Sequence, residues 1–260
     1  MRPLIVRRSL LLATLAAFAF TAWAQDQGRT FHWKGKLTDN QAVTIRNVSG
    51  AIDAESAAGD EVEVTAEKTG PRAEEVKIAV VPTSEGVTIC AVYPGMEDDC
   101  SSGHWHANNV HTDQTKVDFH VLVPHNIRFA AANVNGRVTA EHMGRSVRAS
   151  SVNGSVKVST QSWAEASSVN GSVECSMGSA DWKGTLKISS VNGSIRLEVP
   201  SDLSADVTFR SVNGRLNTDF PLNVSGSFGG RHVSGKIGNG GRELILETVN
   251  GNVDLRKSEI

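Results

Sequence analysis

Ser151-Val152-Asn153-Gly154 returns unchanged at Ser168–Gly171, Ser190–Gly193 and Ser211–Gly214. Looser copies run Asn133–Gly136, His232–Gly235 and Thr248–Gly251, with an early relative at Asn47–Gly50. From Gly136 onward the glycine-to-glycine steps are 18, 17, 22, 21, 21 and 16 residues. A motif returning about every twenty residues marks one stacked supersecondary unit. The bends are assigned to Asn47 and Gly50, Asn135 and Gly136, Asn153 and Gly154, Asn170 and Gly171, Asn192 and Gly193, Asn213 and Gly214, and Asn250 and Gly251.

Two all-β architectures fit these bends. Asn-Gly between alternating apolar runs is a hairpin signal, and pairing across Asn192-Gly193 would set Ile188 against Leu197 and Leu186 against Val199. Hairpins of this kind would build an antiparallel sandwich. In a β-solenoid each unit is one coil, and a corner switches which alternating set faces inward, so Leu186, Ile188, Ile195 and Leu197 all reach the core. Repetition of the whole tetrapeptide favours the solenoid. A hairpin tip needs only a turn, whereas stacked corners place like on like. On this reading Val forms a core column, Asn a side-chain ladder, and Gly supplies backbone freedom. No window shows a helical apolar period.

Upstream, Arg2, Arg7 and Arg8 precede the apolar or small run Ser9–Ala24, and Ala22-Trp23-Ala24 before Gln25 has the form of a signal-peptidase site. The expectation is a removed leader over 1–24 by the general secretory route. The Arg7-Arg8 pair also permits a twin-arginine route, and Gln25 in place of a cysteine argues against a lipoprotein. Loss of three arginines takes the formal charge from −2 to −5, a poor balance for nucleic-acid binding. The product is expected in the periplasm or outside the cell, with no membrane-spanning helix. Its parts are read as a cap segment at 25–41, a solenoid over 42–255, an insertion at about 90–114 and a charged tail at 256–260. Phe31 and Trp33 are expected to lie over the first coil, and Arg256–Glu259 to guard the last.

Cys90 and Cys100 bracket the turn Pro94-Gly95, so an oxidising compartment would join them in a disulfide. Cys175 shares the alternation of Val173 and reads as core.

The iterated Ser-Val-Asn-Gly coils behind a leader resemble bacterial proteins whose shared domain carries the label "putative adhesin". Thr88–Pro94 and Val117–Val121 before Pro124 are similar to a subgroup with a cysteine loop ahead of the repeats. The resemblance covers about Ala42 to Leu255. It implies a right-handed, β-helix-like solenoid and supplies no catalytic motif.

Function is then expected where the repeat is interrupted, or on its polar surface. His104, His106 and His111 beside Asp98 and Asp99 could gather on a zinc or copper ion, although no fourth ligand has a diagnostic spacing and the segment also reads as a solvated loop. A β-helix glycosidase would cluster carboxylates, yet Glu141, Glu165, Glu174, Asp181, Glu198, Asp206 and Asp219 share no repeat phase. Trp163 and Trp182 fall between bends, placed either to cover coil edges or to meet sugars. The reading is a non-catalytic envelope protein that needs no cofactor and binds an unidentified protein or glycan. A carbohydrate-active enzyme and a periplasmic metal binder are the alternatives.

Overall fold

The computed structural model describes residues 23–96, 100, 112–224 and 232–258. The leader up to residue 22 and His104, His106 and His111 lie outside these. The expected cleavage point after Ala24 falls inside the strand Trp23–Gln27.

Every corner of the repeat turns the chain from one sheet into another and never folds it back as a hairpin. Ala164–Asn170 pairs in parallel with Thr185–Asn192, Ala166 meeting Ile188, and Val173–Met177 pairs in parallel with Ile195–Val199, Cys175 meeting Leu197. The antiparallel sandwich is thereby excluded. Among the described residues two open eleven-stranded sheets face each other, called sheet A and sheet B below.

Each coil gives one strand to sheet B and the next to sheet A. The first in the stack joins Gly86–Val92 to Lys116–Val123, the second Ala42–Ser49 to Ile52–Ser56, and the third Arg128–Asn135 to Val138–Met143. The fourth joins Val147–Asn153 to Val156–Thr160, the fifth Ala164–Asn170 to Val173–Met177, and the sixth Thr185–Asn192 to Ile195–Val199. The seventh joins Glu243–Asn250 to Val253–Lys257, and the eighth Ala205–Asn213 to Leu216–Thr218. Spatial order therefore departs from chain order at both ends. The first repeat in sequence and the last are each clasped between two other coils.

This order corrects three expectations. Arg256 and Lys257 belong to an internal strand, paired on one side with Ile195–Val199 and, through Val253–Leu255, on the other with Leu216–Thr218, so they guard no end. His232–Gly235 is no corner, because His232–Ile237 runs antiparallel along Ala205–Asn213, with Asn223–Val224 outside it at the end of sheet B. At the opposite end Val62–Thr69 turns antiparallel onto Lys116–Val123 and Thr30–Gly35 follows it. Phe31 and Trp33 thus extend the core within sheet A, at 3% exposure each, and do not lie across the coil. The outermost strand of sheet B, Lys77–Thr83, carries Pro82, a residue that blunts an edge because it offers no backbone donor.

Between the sheets the inward positions stack into columns. In sheet B one runs Ile45, Ala131, Ala149, Ala166, Ile188, Leu246, Phe209. In sheet A the free thiol of Cys175 fills a core place between Val158 and Leu197, and burial pushes its pKa up to about 12. Among the described residues no helix is long and apolar enough to cross a membrane.

Candidate functional site

The corner decides what the surface presents, and it reverses the expected roles of Ser and Val. Ser151, Ser168 and Ser190 are buried, whereas Val152, Val169, Val191, Val249 and Val212 are the large exposed apolar residues among those described. Alternation explains the reversal. Val147, Ala149 and Ser151 share the inward phase, which leaves Arg148, Ser150 and Val152 outward. The buried hydroxyl is satisfied by the neighbouring coil: Ser168 Oγ donates to the Gly154 carbonyl at 2.8 Å and Ser190 Oγ to that of Gly171 at 2.9 Å. In the earliest repeats asparagine takes this place. Asn133 Nδ2 donates to the Gly50 carbonyl and Asn47 Nδ2 to that of Val117, so Asn47 stands level with Ser151 and Ser49 with Asn153.

At the Ser-Val-Asn-Gly corners glycine is required for close approach and not chiefly for conformational freedom, whereas Gly50 and Gly136 also take positive φ. A Cβ on Gly171 would lie 2.3 Å from the Gly154 carbonyl oxygen, and Gly171 is not among the glycines with positive φ. Outside, the asparagines form one chain of 2.8 Å bonds. Asn153 donates to Asn135, Asn170 to Asn153, Asn192 to Asn170, Asn250 to Asn192 and Asn213 to Asn250.

Beside this corner lies a trough on the outer face of sheet B, about 600 Å³ in volume. Its floor is small and hydroxylated, with Ala132, Ser150, Ser167 and Ser189 in register across the third to sixth coils. Along one side stand Arg148, Glu165 and Lys187, each two residues before a floor position. The valine ridge stands along the other side, two residues after each floor position. Arg46 closes the floor at one end, and Glu247 then Arg210 continue its register at the other.

Ion pairs recur on both outer faces. On sheet A, Arg137 is held by Asp53 at 2.6 Å, Lys157 by Glu141 at 2.7 Å, Arg196 by Glu198 at 2.9 Å and Arg256 by Asp219 at 2.8 Å. On sheet B, Arg148 meets Glu165 at 2.9 Å and Lys187 meets Glu247 at 2.7 Å. Arg46 and Arg210 form no ion pair among the described residues. The hydrogen bond from Lys187, with a smaller contribution from Arg210, holds the Glu247 carboxyl below the usual carboxylate range.

The remaining sequence candidates fall elsewhere. Cys90 and Cys100 form the disulfide. Cys90 is outward on its strand, in register with Arg46, and wholly buried, which sets the disulfide beside the trough. Trp182 is buried with Nε1 donating to the Glu243 carbonyl, a packing role, and Trp163 packs half-buried against the core. Glu141 lies on sheet A in register with Glu55, but each faces a base, Lys157 and His120. Asp60, Glu63, Glu75, Asp219 and Glu247 are all made more acidic, chiefly by hydrogen bonds from Lys36, His32, Arg72, Arg256 and Lys187 respectively. A general acid requires the opposite shift. Among the described residues no group of three or more His, Cys, Asp or Glu side chains is placed to hold a metal ion.

Sequence reasoning missed the trough because its residues are ordinary taken singly. Its signal was the outward phase shared by Ser150, Ser167 and Ser189, one step before the motif.

The family model described as Toastrack DUF4097 matches residues 34–256. No curated protein matches the chain. Among solved structures, a "putative cell adhesion protein" from Clostridium sporogenes aligns at 12% identity over 92% of this chain and 100% of its own, with a TM-score of 0.47. A "putative adhesin" from Bacteroides fragilis aligns at 13% identity over 89% and 98%, with a TM-score of 0.30.

Proposed function

The chain belongs to the Toastrack DUF4097 family, and on that premise we propose that it is an exported, non-catalytic interaction protein of the cell envelope. In this reading it holds a protein or glycan partner against the outer face of sheet B. One observation carries the reading: that face combines a trough with two arginines, Arg46 and Arg210, that have no ion-pair partner among the described residues. Both sheets are tied coil to coil, so the trough is preorganised and binding orders little chain, which favours affinity. A proline-free run of hydroxyls, small side chains and long cations suits many modest polar contacts along an extended partner.

The test is affinity capture from the protein's own cell envelope, with Ser167→Trp as the comparison because it fills the floor of the trough from an outward position. The expected outcome is a protein or glycan retained by the parent and lost from the variant. Recovery of no envelope component, or equal recovery by both, would refute the assignment.

A further inference from the structure

We propose that the trough on sheet B binds a linear acidic glycan lying along the stack, with a carboxylate on every second sugar. The inference rests on sheet B being the contact face and adds the class of ligand and its charge pattern.

The spacing of the cations carries it. Arg46, Arg148, Lys187 and Arg210 belong to the second, fourth, sixth and eighth coils. Strands in a sheet lie about 4.8 Å apart, so a cation recurs about every 10 Å along the axis, Arg46 and Arg210 from the floor row and Arg148 and Lys187 from the row beside it. The fifth and seventh coils carry Glu165 and Glu247 instead. An anion on every unit of the ligand would meet these acids, whereas an anion on alternate units meets only the cations. A disaccharide repeat with one uronate meets this requirement.

The rest of the trough suits the same ligand. Ser167 and Ser189 are half-buried, and among the described residues neither hydroxyl has a hydrogen-bond partner, so both remain available to sugar hydroxyls. Val152, Val169 and Val191 offer an unbroken apolar ridge for the C–H face of a pyranose or the methyl of an N-acetyl group. Arg148 and Lys187 can exchange their present partners for a ligand carboxylate, because exposed ion pairs of this kind hold weakly. Nucleic acid fits poorly, since its charge density would bring phosphates against Glu165 and Glu247. Strand addition by a peptide is excluded at this face, because the backbone groups of an internal sheet are already paired.

Equilibrium binding of the purified protein to three oligosaccharides tests the proposal: hyaluronan, with one carboxylate per disaccharide; polygalacturonate, with one per sugar; and neutral chitin. Hyaluronan should bind at least about tenfold more tightly than either other probe, with an affinity that falls as salt rises. The double variant Arg148→Gln/Lys187→Gln should weaken it about tenfold, whereas Arg137→Gln/Lys157→Gln on sheet A should change it by less than about twofold. Circular dichroism confirms that each variant folds. Equal binding of all three probes, abolished by Ser167→Trp, would overturn the charge pattern and leave the trough as the contact face. Binding insensitive to Ser167→Trp would overturn both. No binding of any probe would overturn the glycan assignment, while the envelope capture would still decide the broader function.

Discussion

A serine hydroxyl buried at a corner is stabilising only when the next coil offers it a carbonyl. Ser190 Oγ has that partner at 2.9 Å, whereas Ser211 Oγ is buried with none. The two residues occupy the same place in the motif and should answer the same substitution differently. Ser190→Ala should cost about 1 kcal/mol, the net worth of a typical hydrogen bond, while Ser211→Ala removes an unsatisfied group and should be neutral or stabilising. Urea unfolding of the pair decides it, and equal losses would show that the Ser211 hydroxyl finds an acceptor in solution. The residue scale is also where the sequence misled. Stacking like on like suggests a core column for the motif Val, although the phase set by Val147 and Ala149 points Val152 outward. Hydrophobicity competes with periodicity over so short a run, and periodicity won because one coil side is a straight strand.

Among the elements, the strand Val62–Thr69 alternates Val62, Val64, Ala66 inward and then continues with Lys68, which is 2% exposed. Its ammonium donates to the Asp26 carboxylate at 2.8 Å and to the Val76 carbonyl at 3.0 Å. One buried lysine therefore fastens the strand Trp23–Gln27 and the turn before Lys77–Thr83 to the end of the stack. Removing one partner of a buried pair strands the other, whereas replacing the charge by an apolar group of similar length avoids the desolvation cost. Asp26→Asn should thus destabilise by about 2 kcal/mol, discounted because Asp26 is partly exposed, and Lys68→Met should be close to neutral. Thermal unfolding of both variants checks the order, and a Lys68→Met loss as large as that of Asp26→Asn would refute it. At this scale the strands from Ala42 onward were legible from alternation. The antiparallel additions at both ends were not, since Thr30–Gly35 and His232–Ile237 carry the same period as the coil strands and only tertiary pairing sets their direction. The trough was equally hidden, because Arg46, Ser167 and Arg210 are far apart in sequence and only stacking brings them into one register.

For the whole molecule, interchangeable corners leave the stacking order undetermined by the motif, and chain order proved the wrong guide. The seventh coil, Glu243–Lys257, stands between the sixth and eighth because its side chains fit the eighth and those of the sixth do not. Arg256 holds Asp219 at 2.8 Å, the Lys257 ammonium lies 5.3 Å from the Phe220 ring, and Asn217 Nδ2 donates to Asp254. In the sixth coil the residue in register with Arg256 is Glu198, which would face Asp219 with like charge. Deleting residues 242–260 should therefore not shorten the rod by one coil. The eighth coil would lose its parallel neighbours among the described residues in both sheets, and docking onto the sixth would be opposed by Glu198. Hydrogen exchange of the truncated protein should show Ala205–Asn213 and His232–Ile237 unprotected together, with Arg128–Met177 still protected. Full protection of Ala205–Asn213 would mean that the eighth coil has moved one place along the ladder, Asn213 meeting Asn192. The repeat alone would then fix the stack, and the charged contacts around Asp219 would have no part in ordering it.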